Sequence, residues 1–167
     1  MPSLYEITVP VFTRTLRNLD HILAKAIASG QDERRLLDAR LAPDMLPLTR
    51  QVQIACDTAK LAVTRIAQAQ PRPMADEENS IDELRDRIAK TIGYLGDADP
   101  AAFDGREAAE ITLKFPNMEM TFTGQGLVTE FSLPNFFFHV TIAYGLLRLK
   151  GIEIGKMDYL AGNQAAN

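Results

Sequence analysis

Val9-Pro10-Val11-Phe12-Thr13-Arg14-Thr15-Leu16-Arg17-Asn18-Leu19-Asp20-His21-Ile22-Leu23-Ala24-Lys25-Ala26 decides how the rest of the chain is read. Val9, Phe12, Leu16, Leu19, Leu23 and Ala26 recur at steps of 3, 4, 3, 4 and 3. That spacing keeps one apolar stripe on one face of an α-helix. Pro10 falls in the first turn, where its missing N–H costs nothing. Gly30 follows the stripe and supplies a left-handed stop. The polar stretch from Asp32 to Arg40 has room for one extra short turn.

Two more stretches repeat the period. Residues 44–70 carry Leu48, Val52, Ala55, Ala59, Ala62 and Ile66, and the three alanines predict a closely packed neighbouring helix. Pro71 and Pro73 end the segment. Residues 80–96 open with Ser80-Ile81-Asp82-Glu83, a capping-box pattern in which Ser80 and Glu83 satisfy each other's backbone N–H groups. Their stripe is Ile81, Leu84, Ile88, Ile92 and Leu95, with Gly96 as the stop. The charges Asp82, Arg85, Asp86, Arg87 and Lys90 read as a solvated face, and Asp76-Glu77-Glu78 as an exposed loop. A fourth helix runs from Pro134 or Asn135 to Lys150, closed by Gly151. It is apolar on nearly every side, which predicts burial on more than one face.

Residues 97–133 do not read as helix. Glu110 to Phe115 and Met118 to Thr123 alternate polar and apolar around the turn signal Pro116-Asn117, a β-hairpin pattern. An isolated hairpin is marginal in water, so it must lean on the helices. The sum is an all-α fold: a four-helix bundle with a β-hairpin inserted between the third and fourth helices. One domain over 1–162 is expected, with a frayed tail over 163–167. The third-to-fourth connection spans about 38 residues where bundles usually use ~2–8.

The 167 residues are 46% hydrophobic and 24% charged, ordinary for a globular chain of one domain. The net charge of −4 argues against nucleic acid or an anionic membrane as partner. One cysteine excludes an internal disulfide and a cysteine-rich zinc site, and two histidines exclude a three-histidine site within one chain. The densest apolar run, Phe136 to Leu149, is broken by His139, Thr141 and Arg148 and falls short of the ~20 residues of a membrane span. No leader pattern opens the chain, so a cytoplasmic location is the expectation. Gly155-Lys156 is too short for a phosphate loop, and no Gly-x-Ser-x-Gly elbow exists.

Larger motifs carry a resemblance. They are Pro43-Asp44-Met45-Leu46-Pro47-Leu48 with Gln51-Val52-Gln53-Ile54-Ala55-Cys56-Asp57; Phe115-Pro116-Asn117 to Thr121-Phe122-Thr123-Gly124; Leu133-Pro134-Asn135-Phe136-Phe137-Phe138-His139-Val140-Thr141; Ala143-Tyr144-Gly145-Leu146-Leu147-Arg148; and Gly155-Lys156-Met157-Asp158-Tyr159-Leu160. Together they resemble a domain-of-unknown-function family grouped with the DinB/YfiT-like metalloenzymes, over nearly the whole chain. The resemblance implies a four-helix bundle, often dimeric. Many members of that superfamily hold a divalent metal with one histidine on the second helix and two on the fourth, four residues apart. Some are thiol-dependent transferases or isomerases. Here His139 matches the first of the pair, but four residues on stands Ala143, and the second helix has no histidine. His21, on the first helix, lies opposite its apolar stripe and is expected to face solvent or a partner subunit. The expected metal is therefore none, and no cofactor is implied.

The pocket candidates are His139, Asn135, Gln51 and Cys56. His139 shares its face with Asn135, Ala143 and Leu146. It reads as a pocket group or remnant ligand, or more simply as a half-buried histidine bonded to a carbonyl or side chain. Asn135 reads as a helix cap. Cys56, at the rim of its stripe, reads as an inert core thiol. Gln51, Gln53 and Asp57 read as a solvated face, or else as the lining of a polar cavity or a subunit contact. Phe136, Phe137 and Phe138 point three ways, and Phe137, Tyr144 and Arg148 share a side that the tail and hairpin or a second subunit would cover. Two functions remain: a small-molecule-binding or interaction module without the metal, as a homodimer, or a transferase- or isomerase-type enzyme with an atypical metal site or none. Carboxylates or amides converging on His139 would favour the enzyme.

Overall fold

The structure, a computed structural model, describes residues 2–163. Four long helices surround one core: α1 (Val9–Ala28), α3 (Leu48–Ala67), α4 (Ile81–Gly96) and α6 (Leu133–Leu149). Short helices α2 (Glu33–Leu37), α5 (Gly124–Gly126) and α7 (Lys156–Ala161) lie between and after them. Strands β1 (Glu110–Phe115) and β2 (Met118–Thr123) form the hairpin between α4 and α6. Among the described residues no helix is long and apolar enough to cross a membrane.

The sequence stripe of α1 is the buried one. Phe12, Leu16, Leu19 and Leu23 have no solvent exposure. Gly30 takes φ +67°, the left-handed conformation glycine adopts without strain. The Asp32 carboxylate caps α2 by accepting the backbone N–H groups of Arg34 and Arg35. Helix α3 is shorter than its expected 44–70. Pro47 is extended and disfavours helix before it. Gln68 turns left-handed at φ 53° and ends the helix ahead of Pro71. Arg106 Nε then donates to the Ile66 carbonyl at 2.9 Å, satisfying an acceptor that the helix end leaves free.

The box that opens α4 is only half reciprocal. Ser80 Oγ accepts the Glu83 N–H at 3.1 Å, but the Glu83 carboxylate reaches the N–H of Asn79 rather than that of Ser80. The hairpin has the expected turn, with Phe115 paired to Met118 across Pro116-Asn117.

Residues 97–133 contain helix after all. Pro100–Phe103 form a 3-10 turn, and the chain coils as α5 and then as a π-helical turn, Leu127–Ser132, before α6. The period of a π turn differs from 3.6, so its residues show no α stripe. Gly124 starts this coil where a Cβ would sit 2.0 Å from the Arg106 carbonyl oxygen, so only glycine fits. The hairpin leans on this coil, with the Phe131 ring 6.1 Å from Phe115 and 5.8 Å from Phe122.

Helix α6 is buried on its core face and partly covered on a second side, leaving a third open. Phe136, His139, Val140, Ala143, Leu146 and Leu147 face the core, while Phe138 and Leu149 are more than half exposed. Phe136 meets Phe12 edge-on at 4.8 Å. Tyr144 meets Tyr159 of α7 at 6.0 Å, so the tail covers that side, and the hairpin packs on Phe131 instead. His21 is half-buried against α7. Its Nε2 lies 2.9 Å from the Asp158 carboxylate on α7, which also accepts Lys25 Nζ at 2.8 Å. Of the expected frayed tail, 164–167 lie outside the described residues.

Candidate functional site

Helix α3 presents polar side chains to two neighbours. Toward α6, His139 Nδ1 lies 2.7 Å from Gln51 Oε1. Gln51 Nε2 donates to the Leu46 carbonyl at 2.9 Å, which fixes the amide orientation and leaves Oε1 as acceptor. Nδ1 must therefore carry the proton, and in the neutral ring Nε2 holds the lone pair. Burial pushes the His139 pKa down, which favours that neutral ring. Gln51 is buried, not solvated.

The superfamily's ion would need three imidazoles here. Ala143 offers no donor, the α3 residue that reaches His139 is an amide already engaged, and His21 is held by Asp158 on another helix. The residues do not fit that ion. Among the described residues no three histidine, cysteine, aspartate or glutamate side chains converge as a metal-holding group.

Four residues before His139, Asn135 does not cap α6. The helix continues from the π turn, so no free first turn needs a side-chain cap. Asn135 Nδ2 donates instead to Thr58 Oγ1 on α3 at 2.8 Å. This pair borders a cleft of about 230 Å³ between α3, the hairpin and the start of α6. Ile54, Leu61, Ala62, Leu113, Phe115 and Phe131 form its apolar walls. Thr58, Ser132 and Asn135 form its polar edge, and Asp57, Arg65 and Lys114 line it as well. Sequence reading missed the cleft because half of it comes from the π turn and the hairpin. The one legible trace was Thr58, a polar residue in phase with Ile54, Leu61 and Arg65 along α3.

Toward α4, α3 meets charge. Arg87 is fully buried, against its expected place on a solvated face. Its Nη2 donates to both Asp57 carboxylate oxygens, at 2.9 and 3.0 Å, and lies 3.0 Å from Asp76. Nη1 donates to Glu78 at 2.8 Å and to the Ala75 carbonyl at 2.9 Å. The Asp76–Glu78 loop is thus folded back as the cover of Arg87 rather than exposed throughout. Gln53, also buried, donates to Glu78 at 2.7 Å. Burial alone would raise the Glu78 pKa, but bonds from Arg87 and Gln53 more than offset it and hold the pKa below the ordinary value. Cys56 lies on this side too. Burial pushes its thiol up to about 12, against the lowering effect of Thr91 and Arg87. Such a thiol is not a nucleophile at neutral pH. Of the four candidates, then, Gln51 and His139 meet, Asn135 joins the cleft, and Cys56 stands apart.

Four long helices with a hairpin between the third and fourth define a DinB-like bundle, and solved structures bear this out. A DinB family member protein from Shewanella denitrificans shares 42% identity, with a TM-score of 0.83 over 95% of this chain and 92% of that one. The chain belongs to the family described as Domain of unknown function (DUF1993), which matches residues 4–160. Among curated proteins nothing matches.

Proposed function

We propose that this chain is a DinB-like bundle that has lost the three-histidine metal site and serves as a small-molecule-binding module. The observation that carries the reading is the cleft: apolar walls with a few convergent polar groups, the usual make-up of a small-molecule site. The surroundings of His139 support binding over transferase or isomerase chemistry, since among the described residues one amide and no carboxylate is hydrogen-bonded to the ring. A cytoplasmic setting goes with this reading, because a lone buried thiol suits a reducing compartment.

Two measurements test it. Equilibrium dialysis against zinc, nickel and manganese should show no stoichiometric uptake, and a tightly held ion lost on His139→Ala would overturn the metal-free reading. The dye 1-anilinonaphthalene-8-sulfonate should brighten at a single saturable site. Leu61→Asp, at a half-exposed residue of the cleft wall, should abolish that signal. An unchanged signal would remove the cleft from the proposal.

The module is proposed to be a homodimer through the open face of α6. Phe138 and Leu149 lie eleven residues apart, three helical turns, so both project from one side, and both are more than half exposed. Sedimentation should show a dimer that Phe138→Lys converts to monomer. A wild-type monomer at high micromolar concentration would refute the dimer.

A further inference from the structure

We infer that the cleft takes a small apolar monocarboxylate, an aryl- or alkyl-substituted acid, with Arg65 as the group that recognises its charge. This rests on the cleft being the binding site. The cleft's own charges single out Arg65. Asp57 is engaged by both Arg87, at 2.9 and 3.0 Å, and Lys60, at 3.9 Å, and Lys114 pairs with Glu119 across the hairpin at 3.4 Å. Among the described residues no carboxylate lies within ion-pair distance of Arg65. Its guanidinium is nonetheless positioned: Nη1 donates to the Thr112 carbonyl of β1 at 3.0 Å, tying the end of α3 to the hairpin. That bond uses one of five N–H donors, and the rest suit a carboxylate.

The apolar walls select the remainder of the ligand. Leu61, Leu113, Phe115 and Phe131 offer aliphatic and ring surface, and about 230 Å³ is smaller than the ~300–1,000 Å³ of drug-sized sites. One ring with a short chain is the scale that fits. Length agrees. Arg65 stands seven residues after Thr58, a rise of roughly 10 Å along α3, close to the span of a phenylalkanoate. The Thr58 oxygen already accepts from Asn135, so its own proton is free, and the Ser132 hydroxyl makes no hydrogen bond to described residues.

The probes are 4-phenylbutyrate and its uncharged amide, titrated calorimetrically into the full chain, with amide chemical shifts to locate binding. The acid should bind in the cleft at least roughly tenfold more tightly than the amide, the usual scale for a charge-assisted pair. Arg65→Gln should bring the acid down to the level of the amide and leave the amide within about twofold. Arg65→Lys, which keeps the charge, should regain part of the difference. Arg65 is exposed, and melting curves of the variants establish that they fold. Equal binding of acid and amide, or indifference to Arg65→Gln, overturns the carboxylate inference and leaves the cleft as a site. Failure of both probes, with the dye signal still sensitive to Leu61→Asp, overturns it likewise. Failure of both probes together with an insensitive dye overturns the cleft reading as well.

Discussion

The two polar faces of α3 solve the same problem in opposite ways. Toward α6 it buries neutral groups in pairs, Gln51 with His139 and Thr58 with Asn135. Toward α4 it buries a cation inside three carboxylates, Arg87 with Asp57, Asp76 and Glu78. A neutral pair needs only one good bond to offset its desolvation. A buried guanidinium needs nearly every donor satisfied, and even here Nε has no partner. The neutral pairs border the cleft beneath the hairpin, whereas the 71–80 connector folds over Arg87, with Asp57 reaching both the cleft and the cluster. The contrast teaches that a charged cluster can serve as a clasp for chain that has no helix of its own, while neutral pairs join two helices without one.

Breaking the clasp should have the largest effect. Arg87→Met removes the cation shared by three carboxylates, leaving Asp76 to Arg50, Asp57 to Lys60 at 3.9 Å, and Glu78 with only the Gln53 amide. Removing one partner of a buried ion pair costs ~3–5 kcal/mol, and the lower end applies here because Asp57 and Asp76 are more than one-third exposed. A loss of about 3 kcal/mol in urea unfolding is expected, with faster proteolysis within 71–80. A loss under about 1 kcal/mol would mean that the connector is held by its other contacts.

The neutral side should respond less, and in a different pattern. Gln51→Leu strands the His139 Nδ1 proton and should cost about 2 kcal/mol, within the penalty for an unpaired buried donor. Adding His139→Leu should return part of that loss, because replacing both partners by apolar groups is nearly neutral. A double-mutant cycle measures the coupling. If the two losses simply add, the pair is not a unit and the proton assignment to Nδ1 falls.

Acidity separates the two sides by where each begins to fail. His139 has its folded pKa below the free value of 6.5, so the unfolded chain takes the proton first. Stability from this group is whole above 6.5 and declines as pH falls below it. Glu78 is also held below its ordinary 4.5, so its contribution persists until pH drops under that value. Between pH 7 and 5 the slope of unfolding free energy should thus come from the α6 side, and His139→Gln should flatten it. A slope unchanged by that substitution would assign it elsewhere.

Much of the fold was legible because it is local. The α1 stripe, the Ser80 cap, the Pro116-Asn117 turn and Gly30 each act within a few residues of themselves. What was not legible depends on chain that returns from far away. Arg87 read as solvated because its neighbours Asp86 and Lys90 are polar, yet its helical phase lies between Leu84 and Thr91, both buried. That phase was the available signal, and the cover came from residues 75–78. Asn135 read as a cap because Pro134 resembles a first turn, but the π turn had already begun the helix. His21 read as facing solvent or a partner subunit because it lies opposite the α1 stripe; it packs on α7 instead, over a hundred residues on. The missing imidazole at Ala143 was plain in the sequence, whereas the engagement of Gln51 with His139 required the packed pair of helices.

The smallest expected effect concerns a third polar contact, which sharpens the comparison because it is half open. Asp158 ties α7 to α1 through Lys25 and His21, and it accepts the Gly155 N–H at 2.7 Å. Burial would raise its pKa, but those three bonds prevail and hold it at about 2. Its stabilising contribution is therefore complete above its ordinary 3.8 and fades as pH falls toward 2. Solvent reaches the lysine and histidine, and screening limits the worth of such a pair to under about 1 kcal/mol. Asp158→Asn should hardly move the unfolding midpoint, yet it should speed amide exchange across 156–161, because α7 has no buried residue of its own to hold it down. Raised salt should reproduce part of that acceleration in the wild type and almost none in the variant. Exchange that ignores both changes would show that Tyr159, packed on Tyr144 and bonded through its carbonyl to Asn18, anchors the helix without help from charge.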